Sequence, residues 1–254
     1  MNMLRLSALT ILESRGALNL IPEGKVLINT INAHCYNVAQ EDEAYAEALI
    51  GGDYLIPDGA SIVMACRWLK GKSLPKERIA GWDLCVAEMQ RLNSKAMAEG
   101  KKKRVMFMGS SERVLSLIRQ RAANDYPCLE VVTYSPPYKP VFTDGDSAAI
   151  VRAINQARPD LLWIGMTAPK QEKWTYQHWD ELDINCHVGT IGAVFDFYAG
   201  TVLRAPIWWQ EHSLEWLYRF VMEPLRLWRR YVLGNPLFLW GVLREKMSMH
   251  STNN

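Results

Sequence analysis

Several polar residues stand where a short apolar run gives way to a helix candidate. Asn29-Thr30-Ile31-Asn32 follows the first strong run, and Pro57-Asp58-Gly59 follows the second. A carboxylate in such a place can act as a general base, and Gly59 lets the chain turn sharply into the next helix. Thr30 and Asn32 can meet a ligand there, beside a helix N-terminus that favours an anion. Thr, Asn and Asp are also common helix caps, and each of these residues taken singly reads better as a cap. Arg78-Ile79-Ala80-Gly81-Trp82-Asp83 sets an arginine, a glycine and an acid before a helix, either to grip a phosphate or sugar or to close a loop with a salt bridge. Gly109-Ser110-Ser111-Glu112 is a small-residue turn whose backbone N–H groups can hold a phosphate. It is not G-x-G-x-x-G, which weakens a dinucleotide reading.

Two later stretches are richer. Pro159 to Trp174 reads as a buried strand running into Gly165, a small-residue turn, and a helix opened by Pro169. Lys170 and Lys173 crowd that helix's first turn, against the usual preference for acids there, and a bound anion would explain them. Gln171 lies between them. In Val188 to Phe197, Gly189 and Gly192 bracket a strand end and permit a close approach to backbone. Asp196 sits between Phe195 and Phe197, at a pocket wall or as a cap. Asp144-Gly145-Asp146 is formally a D-x-D metal pair, but after Thr143 and before a helix it reads better as a turn and cap. No metal site is expected, and no cofactor.

These positions need a scaffold. Apolar runs at 25–29, 53–56, 104–108, 129–133, 160–165 and 185–191 alternate with helix candidates at 33–50, 59–70, 83–98, 111–124, 145–157 and 169–182. Such alternation predicts an α/β, Rossmann-like fold: a mostly parallel sheet with helices on both faces. In an open sheet of this kind ligands bind beyond the carboxyl ends of the strands, where most of the residues above fall. The run at 101–104, three lysines and an arginine, reads as a solvated loop before a strand.

After about residue 200 the character changes. Between 204 and 246 there are seven Lys/Arg and four Asp/Glu among many Trp, Leu and Tyr. Five of the 10 tryptophans (Trp208, Trp209, Trp216, Trp228 and Trp240) lie here, and Pro206, Pro224 and Pro236 predict short helices. The expected division is a catalytic α/β domain over 1–200 and a basic, Trp-rich helical appendage over 201–254 that meets a membrane surface. A net charge of +2 is too small to argue for nucleic acid. The five cysteines (Cys35, Cys66, Cys85, Cys128 and Cys186) form neither a disulfide framework nor a zinc pattern, which suits a reducing cytoplasm. The first 16 residues lack the basic-then-apolar pattern of a signal peptide, and no apolar run approaches the ~20 residues of a membrane span.

The blocks NTIN, IPDG, RIAGWD, PDLLWIGMTAPKQEKW and VGTIGAVFDFYAG, with the tail RAPIWWQEHSLEWLYRFVMEPLRLWRRYVLGNP, together resemble the WecG/TagA/CpsF glycosyltransferases. The likeness runs in order over roughly residues 20 to 240. It implies an inverting, metal-independent bacterial enzyme of teichoic acid or exopolysaccharide synthesis. Such an enzyme moves a sugar, often N-acetylmannosamine or its uronic acid, from a UDP donor to a sugar linked to polyprenyl diphosphate, such as undecaprenyl diphosphate. The implied location is peripheral, on the inner face of the cytoplasmic membrane. By the same resemblance Asp58 matches the catalytic base, and Thr30, Asn32 and Gln171 match active-site polar residues. Arg219, Arg226 and Arg229 match tail arginines that complete the site. Arg78, Gly109, Ser110, Lys170, Gly192 and Asp196 are the further substrate-binding candidates. This chain departs from many relatives at Ile31-Asn32-Ala33-His34, where they have Pro-Asn, and at Trp82, where they have an aliphatic residue. Both departures lie near the expected sugar pocket, so the sugars stay open, as do the pathway and whether the chain forms a homo-oligomer. Two rivals remain: a nucleotide-dependent oxidoreductase, against which the missing G-x-G-x-x-G argues, and a non-catalytic peripheral membrane scaffold, which predicts no use for Asp58.

Overall fold

The structure is a computed structural model and describes residues 4–251. Six strands form one sheet: β1 (Val26–Ile31), β2 (Tyr54–Pro57), β3 (Lys103–Gly109), β4 (Leu129–Tyr134), β5 (Leu161–Gly165) and β6 (His187–Thr190). Their order is β2-β1-β6-β5-β3-β4 and every pairing is parallel. β1, β5 and β6 are buried at every position, as strands covered on both faces must be. Alternation assigns the faces. Val105 and Phe107 of β3 and Leu161 and Trp163 of β5 join one core. Met106, Met108, Leu162 and Ile164 join the other.

Helices α4 (Gly81–Glu99), α5 (Glu112–Asp125) and α8 (Val194–Ala199) cover the first face, packing Leu84, Leu115, Ile118 and Phe195 around Phe107 and Trp163. Helices α6 (Asp144–Ala157) and α7 (Lys170–Gln177) cover the second with Ile150, Ile154 and Trp174. A third core lies at the β2 edge. Here α1 (Ala33–Glu41), α2 (Glu43–Ile50) and α3 (Ala60–Leu69) bury Tyr36, Tyr45, Leu49, Ile62 and Leu69. The sequence reading of one helix over 33–50 misses a break at Asp42. That residue is extended (φ −117°), and its carboxylate accepts the Tyr45 N–H, so it ends α1 and caps α2.

The helix after β3 lies on the first face and the helix after β5 on the second, although the two strands are neighbours. Their carboxyl ends therefore part around a crevice, the switch point at which open α/β sheets bind ligands.

Beyond β6 the described residues form helices only. α9 (Ile207–Glu211), α10 (Glu215–Met222) and α11 (Pro224–Trp228) are short, as the prolines predict. A π-type turn over Arg229–Leu233 then leads into α12 (Gly234–Ser251), with Pro236 in its first turn. α12 returns to the body. Phe238 meets Tyr36 edge-on at 5.2 Å, and Phe238 and Val242 enter the third core beside Leu4 and Leu6. The Glu245 carboxylate accepts the N–H groups of Leu6 and Ser7 and the Ser7 hydroxyl. The sheet thus ends at Thr190 and α8 at Ala199, while α12 completes a core that includes Leu4 and Leu6.

Candidate functional site

The sequence-predicted residues gather along the carboxyl edge of the sheet in two groups. At the β3–β5 crevice, Gly109 (φ +125°) lies so close to β5 that a Cβ there would sit 2.2 Å from the Gly165 carbonyl. The Ser110 N–H bonds that same carbonyl at 3.1 Å. Only glycine fits, and the turn it makes opens the crevice mouth. Gly192 (φ +39°) closes the neighbouring loop, with the Met166 carbonyl 3.2 Å and the Gln171 Oε1 3.4 Å from where a Cβ would stand. Asp196 follows in the first turn of α8, half-buried, with its backbone carbonyl accepting from Thr201.

Gln171 is buried, and its amide is committed. Oε1 accepts the Met166 N–H at 3.1 Å, and Nε2 donates to Glu172 at 2.8 Å. It ties the loop after β5 to α7 rather than standing open to solvent. Lys170 donates to the Lys139 carbonyl at 2.5 Å and lies 3.4 Å from the centre of the Phe142 ring, and burial lowers its pKa. Lys173 pairs with Asp42 at 2.8 Å. Both first-turn lysines therefore have protein partners, which accounts for their presence without a bound anion. Asp146 bonds Thr143 and Lys139, the cap expected of it.

The second group lies past β1 and β2. Asn32 caps α1, its Oδ1 accepting the N–H groups of His34 and Cys35 at 3.0 and 3.1 Å. Thr30 is buried as the penultimate residue of β1, paired in register with Ile56. Asp58 leaves the end of β2, where its N–H continues the ladder to the Ile31 carbonyl at 2.8 Å. Withdrawal from water raises the Asp58 pKa. Arg78 is the strongest influence holding it down, followed by Arg230 and Arg219, while Glu215 pushes it further up. A carboxyl held above its usual range but ringed by arginines suits a base that must take a proton near neutrality. His34, at the same end, has its pKa lowered to about 4 by burial and by Arg230, so it is neutral at pH 7.

The tail supplies much of this ring. Arg219 of α10 is half-buried and stacks over Phe197 at 5.3 Å. Arg226 and Arg229 are exposed: Arg226 pairs with Glu223, and Arg229 lies 5.4 Å from the centre of the Trp228 ring. Arg230 is instead half-buried and acts on both Asp58 and His34. Sequence spacing counted through residues 219, 226 and 229 misses it because the helix restarts at Pro224 and passes through a π-type turn, which shifts the register. Glu215 and Arg204 also escaped the sequence reading, although both stand in the quoted tail block. So did Glu172, a carboxyl 1 % exposed whose pKa burial raises to about 7 and whose Oε2 has no partner.

Residues 3–252 match the profile of the Glycosyl transferase WecG/TagA/CpsF family. Among similar proteins, the N-acetylglucosaminyldiphosphoundecaprenol N-acetyl-beta-D-mannosaminyltransferase of Bacillus spizizenii is 32% identical over 219 residues, 86% of this chain and 79% of that protein. The protein of the same name from Bacillus subtilis is 29% identical over 220 residues, 87% and 80% of the two chains. That from Staphylococcus aureus (strain MW2) is 25% identical over 221 residues, 87% and 81%.

Proposed function

We propose, because this chain belongs to the WecG/TagA/CpsF family of glycosyl transferases, that it moves an N-acetylmannosamine-like sugar from a UDP donor to a sugar on polyprenyl diphosphate. The observation that carries the reading is Asp58: a partly desolvated carboxyl at a strand end, within the field of Arg78, Arg219 and Arg230. In a single inverting displacement Asp58 takes the proton of the acceptor hydroxyl as that oxygen attacks the anomeric carbon. The bond to the donor phosphate breaks on the opposite side, and negative charge collects on the departing diphosphate. Fixed arginines lower the barrier most where that charge appears, which lets the step run without a metal. From Asp58 to the β3–β5 crevice is three to four strand spacings, roughly 14–19 Å at ~4.8 Å each. That is the scale of an extended nucleoside diphosphate sugar, so the nucleoside belongs at Gly109–Ser110 and the sugar at Thr30, Asn32 and Asp58.

The acceptor is bound to lipid, and the tail is built to meet it. No described helix is long and apolar enough to cross a membrane. Yet Ile207, Trp208, Trp216, Leu225, Trp228 and Trp240 are all more than two-fifths exposed. Amphipathic rings beside Arg226, Arg229 and Arg244 suit the headgroup layer of an anionic bilayer, which supports a position on the inner face of the cytoplasmic membrane.

The test offers the protein UDP-N-acetylmannosamine and a short-chain polyprenyl-diphosphate N-acetylglucosamine, with product mass as the readout and with excess EDTA in a parallel arm. A disaccharide product at equal rate in both arms is expected. Asp58→Asn should lower turnover about 10²–10⁴-fold at unchanged melting temperature. No transfer, or near-normal turnover by Asp58→Asn, overturns the reading.

A further inference from the structure

Arg78, Glu215 and Arg204 form a cluster of which the reaction as described uses only the charge of Arg78. The Glu215 Oε2 bonds Arg78 Nη1 at 2.8 Å. Its other oxygen stands 3.7 Å from Arg204 Nε, too far for a hydrogen bond, and that buried nitrogen has no partner. The Arg204 guanidinium lies 5.1 Å from the centre of the Trp82 ring. The three side chains are only 13 to 20% exposed. A buried donor left unsatisfied costs about 1–3 kcal/mol, so a ligand oxygen that bonds this nitrogen gains by doing so.

Charge balance says what kind of ligand. The groups acting on one another here are Arg78, Arg204, Arg219 and Arg230, with the carboxylates of Asp58 and Glu215. Asp83 also acts on Arg78 and Arg204, but Arg15 already stands 3.6 Å from it. Arg15 stands 3.6 Å from Glu77 as well, so five arginines face four carboxylates, an excess of one positive charge in a part-buried place, and of two when Asp58 carries a proton. Burial opposes the charge on Arg204 and lowers its pKa, with Glu215 the largest influence in the other direction. An anionic group with several terminal oxygens fits both the excess and the idle donor, and a diphosphate is such a group.

We propose that Arg78 and Arg204 form a diphosphate subsite in which Glu215 is the resident counter-ion, and that a substrate diphosphate displaces the Glu215 carboxylate from both guanidiniums. The diphosphate takes the Arg78 bond that Glu215 holds and satisfies Arg204 Nε, which Glu215 does not. Because Glu215 opens α10, the exchange also unlatches that helix from the α/β body, so occupancy of the site and the position of the tail are coupled. This inference rests on the glycosyl transfer reading for the identity of its ligand. Donor and acceptor each carry a diphosphate, so the experiment separates them.

Calorimetric binding of inorganic diphosphate, of UDP and of a short-chain polyprenyl-diphosphate N-acetylglucosamine is measured on the full chain and on Arg204→Gln and Glu215→Gln. Melting temperatures accompany each variant. Arg204→Gln should weaken inorganic diphosphate about 10–100-fold, the worth of one charged hydrogen bond. Glu215→Gln, which keeps the shape but not the charge, should tighten it several-fold. Loss with UDP assigns the subsite to the donor, and loss with the lipid ligand assigns it to the acceptor. Inorganic diphosphate reports on the subsite even if no sugar is transferred, so failure here is distinct from failure of the proposed reaction. Unchanged affinity in Arg204→Gln overturns the proposal. So does weaker or unchanged affinity in Glu215→Gln, the outcome of a Glu215 that is only a structural latch.

Discussion

The two halves of the tail contain similar residues and do different things. Residues 207–233 fold into short helices with Trp208, Val221, Met222, Leu225 and Val232 exposed; Leu227 is buried, and polar ties to the body include the ion pair of Glu215 with Arg78 and Arg219 over Phe197. α12 also exposes Leu239, Trp240 and Leu243, yet its opposite side sinks Phe238, Val242 and Glu245 into the third core. The hydrophobic content is alike; the partners differ. Polar contacts near a charged site can be exchanged for substrate contacts, whereas buried apolar area cannot be given up without loss of the fold. The first half is therefore a movable lip, and α12 is a strap.

The largest separation should come from Phe238→Ala. Truncating this fully buried ring should cost about 3–5 kcal/mol in chemical unfolding, while turnover per folded molecule stays close to normal. A Phe238→Ala protein of normal stability would remove the strap from the comparison. Arg219→Ala and Arg230→Ala should do the reverse. Each should lower turnover about 10²–10³-fold, because the charge matters most as the diphosphate departs, with melting temperature nearly unchanged. If instead Arg226→Ala or Arg229→Ala gives that loss, the half-buried arginines are not the ones that serve the site.

A third test lies inside the α/β body, at the buried Glu172 of α7. Its folded pKa of about 7 exceeds the ordinary 4.5, so its contribution to stability is complete below pH 4.5 and is lost as pH rises through 7. Full ionisation should cost roughly 3 kcal/mol. The melting temperature should fall between pH 5.5 and 8, and Glu172→Gln should flatten that fall; an unchanged slope would place the titration elsewhere. The smallest effect concerns the outer arginines. Arg226→Ala and Arg229→Ala should each weaken binding to anionic vesicles by about 1 kcal/mol, vanishing on neutral vesicles. Equal binding to both vesicle types would leave the lip without a charged lipid partner.

The alternation of runs and helices made the sheet legible, because strands covered on both faces must be continuously apolar and little else in a chain is. Asp58, Gly109 and Gly192 were legible for a related reason: they stand where strands end, and the glycines occupy turns closed to any side chain. The break at Asp42 was not, since a cap inside a periodic run leaves the periodicity intact. Arg230 was hidden by the change of helical register after Pro224. Glu215 and Arg204 were hidden differently. Their meaning depends on Arg78, 126 and 137 residues away along the chain, and no local pattern encodes a meeting at that range. Gln171 was legible as a position but not as a role, because only the fold shows its amide joined to Met166 and Glu172.

The bonds from Leu6 and Ser7 to Glu245 have a consequence for synthesis. A chain made from its N-terminus can fold behind the ribosome as each unit becomes complete. The cores on the two sheet faces involve residues up to Tyr198 and Val188, so they can close while the tail is still being made. The β2 edge cannot, because Phe238 and Val242, which pack with Leu4, Leu6 and Tyr36, are translated after both sheet faces. For the time needed to translate about fifty residues, the nascent enzyme presents an uncovered apolar edge together with the emerging tryptophans. A chaperone or a bilayer surface that shields this edge during that interval would raise the yield of folded protein without altering its final stability.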